Sequence, residues 1–383
     1  MQRVRLVWST EFLSRFKRLH TYLEKNEIDV AIITDPKNVY YFTGYVNVSV
    51  VPLPTYLIAF REDEPILLTG ITETTAASKK FGGRIETFTN YDLHERMLAY
   101  SDLAASRIRS LIRNRRIRKV GLEFWNAPEV VRHAVIGNGK ARRLLDLSEV
   151  ILAWRRTKYP DEIEAIRASC ELVDYGYGVI KEILCDGLTE LEAYAQSYCK
   201  LIAKANSPSF QFFYGDFASG ERALEGGGPP TNRVMRRGET FILDLWATTK
   251  GYWADTCRTF VIGREPSPAQ KRIRDLLERA LTIGREKLRP GNSAAEVYQS
   301  IFDVIREAGY AKHFTHHGGH CVGLDAWEPP FIIPGSDELL KENEVCALEP
   351  GVYLPEVGGI RIENDYVVTS SGGKPLSKFP LDL

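Results

Sequence analysis

The sequence predicts a two-domain α/β (α+β) protein in which a smaller α/β domain, residues 1–150, precedes a larger one, residues 151–383, that contains an internal duplication. Three observations predict it. Short apolar runs alternate with helix-period segments over the first 150 residues; a long amphipathic helix beginning at Pro160 opens a different texture; and beyond Gly187 the same helix start and strand pair occur twice.

In chain order, Leu13, Phe16, Leu19 and Leu23 recur at helical spacing between residues 9 and 26, and "DVAIITDP" then reads as a buried strand closed by Pro36. "TYLIAF", "PILLTG" and "KVGLEF" read as further strands, with "YSDLAASRIRSLIRN" as a helix between them. The second domain opens with Pro160 in a first helical turn and Asp161 and Glu162 at the positive helix end, while Ile163, Ile166, Cys170, Val173, Tyr177 and Ile180 share one face.

The duplication rests on two matched segments. "GLTELEAY" (187–194) and "GNSAAEVY" (291–298) each carry a capping box, Thr189 with Glu192 and Ser293 with Glu296. Each is followed by an apolar strand pair bearing two acids, Asp244 and Asp255 in the first copy and Glu349 and Glu363 in the second. Copies packed about a pseudo-twofold axis bring four carboxylates together, where like charges raise one another's pKa unless cations intervene. Oxygen ligands with one imidazole suit divalent manganese, cobalt, iron or zinc, and His320, in "HHGGHCVGLDAWEPP", supplies the imidazole.

Composition excludes other classes. Fifty basic residues balance fifty acidic ones, so no general field draws nucleic acid or an anionic membrane. No apolar run reaches membrane-spanning length and the first twenty residues are charged throughout, so a cytoplasmic protein is expected. All six cysteines lie beyond residue 169 without CxxC spacing, and the expectation is that they are reduced core residues.

These motifs resemble the creatinase, prolidase and aminopeptidase P group, family M24, with the pita-bread fold. "DLWATTKGYWADTCRTF" sets Asp244 and Asp255 at the family's interval, "GHCVGL" matches its central motif, and "EPGVYLPEVGGIRIE" matches its last. The resemblance extends through "RRTKYPDEIEAIRAS" to a creatinase-like N-terminal domain. It implies that Asp244 and Asp255 hold one metal, that His320 and Glu349 hold the other, and that Asp255 and Glu363 bridge the two. A bridging hydroxide then attacks a carbonyl, and Glu349 serves as general base and then general acid. Arg361 orients Asp244 or Asp255, and His316 matches an assisting histidine. Relatives with this N-terminal domain commonly form homodimers, so a homodimer without nucleic acid or membrane partners is expected.

Two departures bear on substrate. Where peptidases of the group carry substrate-contacting histidines, this chain has Gly227 in "ALEGGGPPTNR" and Trp327 in "AWEPP". Trp327 offers an aromatic face to a cation or else packs against Pro329 and Pro330. His313 and His317 read as polar loop residues. Three functions stay open. One is a dinuclear Xaa-Pro aminopeptidase or dipeptidase acting on short peptides. Another is a relative resembling creatinase, ectoine hydrolase or the sulfoniopropionate lyase that acts on a small zwitterion. The third is a silent binding module.

Overall fold

The computed structural model describes residues 10–47, 53–90, 99–137, 143–205 and 213–382; the first nine residues of the charged N-terminal stretch lie outside them. The chain divides into two compact units, Met1–Trp154 and Arg155–Leu383.

The first unit holds helices α1 (Thr10–Lys25), α2 (Pro36–Thr43), α3 (Thr74–Ser78), α4 (Tyr100–Ile112) and α5 (Glu129–Ile136), and α6 (Ser148–Arg156) runs through the division point. Its strands are β1 (Val30–Ile33), β2 (Tyr56–Phe60), β3 (Ile66–Gly70), β4 (Arg84–Phe88), β5 (Lys119–Leu122) and β6 (Arg143–Asp146), ordered β4-β3-β2-β1-β5-β6 in one sheet. The sheet is mixed, with β1 antiparallel to β2 and parallel to β5. Strands β1, β2 and β3 are buried at every position, which explains their near-continuous apolar sequence. Ile32, Ile58, Leu68 and Val120 pack with Ala104, Ile108 and Ile112 of α4 in one core.

The second unit begins with α7 (Pro160–Ile183), whose Ile166, Cys170, Val173, Tyr177 and Ile180 are buried as the helical spacing requires. It continues through α8 (Glu190–Ala205), β7 (Phe213–Ser219), β8 (Thr240–Thr249) and β9 (Tyr252–Val261). A second series follows: α9 (Pro268–Lys287), α10 (Ala294–Glu307), β10 (Gly319–Cys321), β11 (Glu328–Ile332), β12 (Val345–Leu348), β13 (Gly351–Leu354), β14 (Gly358–Arg361), β15 (Asn364–Val367) and β16 (Lys374–Pro375).

The backbone repeats along with the sequence. Both capping boxes form: the Thr189 hydroxyl accepts from the Glu192 amide at 3.1 Å, and Ser293 does the same for Glu296 at 3.1 Å. Thr189 bridges Val234 and Ser293 bridges Leu339, in each case ahead of the strand that leads to the first acid of its copy. Gly187 and Gly291 share a left-handed φ, 90° and 91°. Gly215 and Gly319 also correspond, with φ 153° and 145°, and at each a Cβ would strike a carbonyl oxygen of the neighbouring strand, at 1.7 Å and 2.0 Å.

The copies differ where the acids sit. Strands β8 and β9 pair without a break over ten residues each, and Asp244 and Asp255 lie inside them. The expected second strand pair is instead two short ones, β12 with β15 and β13 with β14, and Glu349 and Glu363 occupy the gaps. Pro350, lacking an amide hydrogen, follows Glu349 at the first gap.

The cysteine expectation is corrected in two respects. Cys321 and Cys346 stand opposite each other on β10 and β12 and are joined in a disulfide, while Cys185 and Cys199 are exposed. Only Cys170 and Cys257 are free buried thiols among the described residues. The pairing follows from strand register, which a sequence separation of 25 does not reveal.

Candidate metal centre

Strands from both copies deliver the acids to one place. Asp244, Asp255, His320, Glu349, Glu363 and Arg361 are all at most 8% exposed, and all line a cavity of about 340 Å³. Asp255, His320 and Glu363 each offer a ligand atom within 4.8 Å of the others. His320 Nε2 lies 3.4 Å from Asp255 Oδ2 and 3.8 Å from Glu349 Oε1, and its Nδ1 is 3.1 Å from the Cys321 carbonyl. That carbonyl accepts a proton held on Nδ1 and leaves Nε2 as a free donor atom toward the acids.

The electrostatics of the cluster call for a cation. Burial pushes Asp244 up to about 6, with Asp216 and Glu349 adding to the rise and Arg361 opposing it. Burial and the neighbouring carboxylates push Asp255 and Glu363 well above the usual range. Asp255 Oδ1 and Glu363 Oε2 are buried without any hydrogen-bond partner. Buried carboxylate oxygens left unpaired, beside an imidazole nitrogen, are the donor set that a divalent ion satisfies, so the residues present fit a metal.

Glu349 behaves differently. Burial raises its pKa, but the adjacent imidazoles, His317 foremost and then His320 and His316, pull it down to about 2. His317 Nδ1 is 3.2 Å from Glu349 Oε1, and the nearness of that carboxylate raises the imidazole above its ordinary value. His317 is a polar loop residue as expected, and the loop carries it against the carboxylate expected to move protons. His313 ends a short 3₁₀ turn and does not line the cavity. His316, 3.9 Å from Glu349 Oε2, has Nε2 2.8 Å from the Tyr353 hydroxyl and Nδ1 2.8 Å from the His317 carbonyl. Burial lowers it to about 4, so it is neutral at physiological pH.

Arg361 pairs with Asp244, Nη2 to Oδ2 at 2.6 Å, and not with Asp255. The same nitrogen lies 2.8 Å from Asp216 Oδ2. Trp246 donates Nε1–H to Asp244 Oδ1 at 3.0 Å, so both oxygens of Asp244 are held in place. Trp327 is 58% exposed and its ring lies 5.4 Å from that of His320 and 5.9 Å from that of His317. It forms a wall of the cavity. Gly227 does not line the cavity, whereas Gly226 does. What Gly227 does is leave room, because a Cβ there would lie 1.9 Å from Asp216 Oδ2 at a backbone φ of 156°. Gly227→Ala is expected to destabilise the protein by about 1–3 kcal/mol in urea unfolding, and an unchanged midpoint would contradict the crowding.

Sequence reasoning missed Asp216, Trp246 and His317. The available signals were an Asp in an apolar strand, a tryptophan two residues past an expected ligand, and a histidine three before another.

With the geometry in view, comparison with known proteins decides the family. Residues 164–370 match Metallopeptidase family M24, and residues 15–157 match the Creatinase/Prolidase N-terminal domain. The chain belongs to metallopeptidase family M24. Among proteins similar to this M24 enzyme is an Xaa-Pro dipeptidase of Pyrococcus furiosus, 29% identical over 374 residues that cover 96% of this chain and 99% of the relative. The prolidase structure from Pyrococcus furiosus superimposes with a TM-score of 0.79 at 28% identity, covering 94% of this chain and 99% of the other. The prolidase structure from Pyrococcus horikoshii gives 0.81 at 26%, covering 96% and 99%. The M24 match encloses every residue of the acidic cluster and the pita-bread fold that positions it. Among the described residues no helix is long and apolar enough to cross a membrane.

Proposed function

We propose that this M24 enzyme is a dinuclear metal-dependent peptidase that cleaves the bond between a residue and a following proline. The observation that carries the reading is the buried acid cluster around His320, with carboxylate oxygens that have no partner in the protein, at the floor of a cavity large enough for a short peptide. The Xaa-Pro specificity is taken from relatives named Xaa-Pro dipeptidase and prolidase.

Asp244, Asp255, His320, Glu349 and Glu363 would hold two divalent ions, manganese, cobalt, iron or zinc. Bound there, the ions would supply Lewis acidity toward a peptide carbonyl and a lowered pKa for water. The remaining work falls to the chain. Glu349 is ionised at neutral pH and accepts a proton from the attacking water; it then returns that proton to the departing nitrogen. His317, with Nδ1 3.2 Å from Glu349 Oε1, sets a polar neighbour against that carboxylate. His316, neutral and anchored on Tyr353, presents a hydrogen-bonding imidazole without adding charge. Arg361 and Trp246 lock Asp244 in one orientation.

Protein stripped of metal and titrated with manganese should take up two equivalents per chain and then turn over Xaa-Pro substrates but not Xaa-Ala controls. A second reading, hydrolysis of a small zwitterion, is favoured by the exposed Trp327 face, and binding of two ions without any Xaa-Pro turnover would select it. Glu349→Gln should lower kcat by about 10²–10⁴-fold with an unchanged circular dichroism spectrum; wild-type turnover would remove Glu349 from proton transfer.

A further inference from the structure

Asp216 has no part in the ligand set, yet the fold aims it into the cavity. It follows Gly215 on β7 as His320 follows Gly319 on β10, at the sequence interval that also relates Gly187 to Gly291 and Thr189 to Ser293. Asp216 is thus the counterpart, in the first copy, of the candidate imidazole ligand in the second. In the strand register it stands directly opposite Asp244, a pairing of like charges that would be unfavourable alone. The Arg361 guanidinium spans both carboxylates through one nitrogen, and the Gly228 amide donates to Asp216 Oδ1 at 2.9 Å. The space the carboxylate fills exists because residue 227 has no side chain.

The consequence for substrate lies in what Arg361 has left to offer. Its Nη2 serves Asp216 and Asp244, its Nη1 serves the Gly226 carbonyl and the Tyr353 hydroxyl, and its Nε, buried, is the one nitrogen left without a partner. Among the described residues lining the cavity, Arg361 is the single lysine or arginine, against carboxylates at 216, 225, 244, 255, 349 and 363. A free substrate carboxylate entering beside Asp216 meets a like charge, and the two Arg361 nitrogens nearest that charge are already engaged. An amide or a cation meets a hydrogen-bond acceptor instead.

We propose that Asp216 is a substrate-selecting residue that turns this end of the cavity against a free carboxylate. The preferred substrates are peptides that continue beyond proline, or proline amides, over free Xaa-Pro dipeptides. The proposal deepens the Xaa-Pro reading and rests on it for the identity of the peptide.

The test compares binding of proline and of prolinamide to the manganese-loaded full chain by calorimetry, alongside turnover of Ala-Pro and Ala-Pro-amide. Wild type should bind prolinamide at least tenfold more tightly than proline. Asp216→Asn should shift that ratio at least tenfold toward proline at unchanged metal content, and Asp216→Glu should restore it. An unshifted ratio in Asp216→Asn, a wild-type preference for proline, no binding of either ligand, or loss of metal from the variant would each overturn the proposal. A shifted ratio without turnover of either substrate sinks the Xaa-Pro reading while the charge selection stands.

Discussion

Asp255→Asn should leave a protein that no longer gains stability from manganese, shows no measurable turnover, and melts higher than wild type when both are metal-free. Asp255 is 3% exposed and surrounded by Asp244, Asp365 and Glu349, and burial together with those charges raises its pKa well above the ordinary value. A carboxyl whose folded-state pKa is raised favours folding only where it stays protonated. Its contribution is present below the unfolded value near 3.8 and is lost as pH rises toward the folded value. Asparagine keeps the shape and escapes that loss, so the stability advantage of the variant over metal-free wild type should widen from pH 4 upward. The other half of the prediction is mass action: wild type in manganese at 100 times its Kd gains about 2.7 kcal/mol, and a variant lacking the donor oxygen gains none. Thermal melts with and without manganese across pH test both halves, and a retained manganese shift would take Asp255 out of the ligand set.

Glu328→Gln should cost about 3–5 kcal/mol of stability without touching the acid cluster directly. Glu328 is 1% exposed on β11, with one oxygen hydrogen-bonded by Arg155 and the other 2.9 Å from Lys158 Nζ; both partners are themselves buried. Neutralising it leaves two buried cations short of a counter-charge, although Asp325 stays 2.5 Å from Arg155. Burial opposes ionisation of Glu328, yet Lys158 and Arg155 bring its pKa down to about 2. The folded value is depressed, so the stabilisation is complete above about pH 4.5 and disappears as pH falls toward 2; it amounts to about 3 kcal/mol. Acid titration of unfolding should therefore show a steep loss between those values in wild type and a shallower one in Glu328→Gln. Equal midpoints in urea at pH 7 would contradict the prediction. Because β11 pairs with the strand that carries His320, the variant should also bind manganese more weakly.

Much of this was legible in the sequence, for reasons particular to each feature. The buried strands β1 to β3 announce themselves by unbroken apolar runs, and α7 by its proline start and apolar face. The four acids and the imidazole of the cluster are legible because short motifs fix their spacing. What stayed hidden depends on register and on distant neighbours. Asp216 reads as an ordinary polar residue in "FYGDFAS" until β7 is laid against β8 and Gly227 is found to leave space. The Cys321–Cys346 bond depends on the pairing of β10 with β12, and the role of His317 on the chain turn that brings it against Glu349. Arg361 was expected to reach Asp244 or Asp255, and only the folded sheet shows that it holds Asp244 and Asp216.

The matched bridges Thr189 to Val234 and Ser293 to Leu339 carry a historical consequence. The first repeat supplies two carboxylates and the second supplies an imidazole and two more, so neither repeat by itself encloses a cation pair. A single-repeat ancestor would have had to work as two separate chains meeting in solution, its competence set by concentration. Two repeats in one chain make that encounter intramolecular, and the two sets of donors need not be alike.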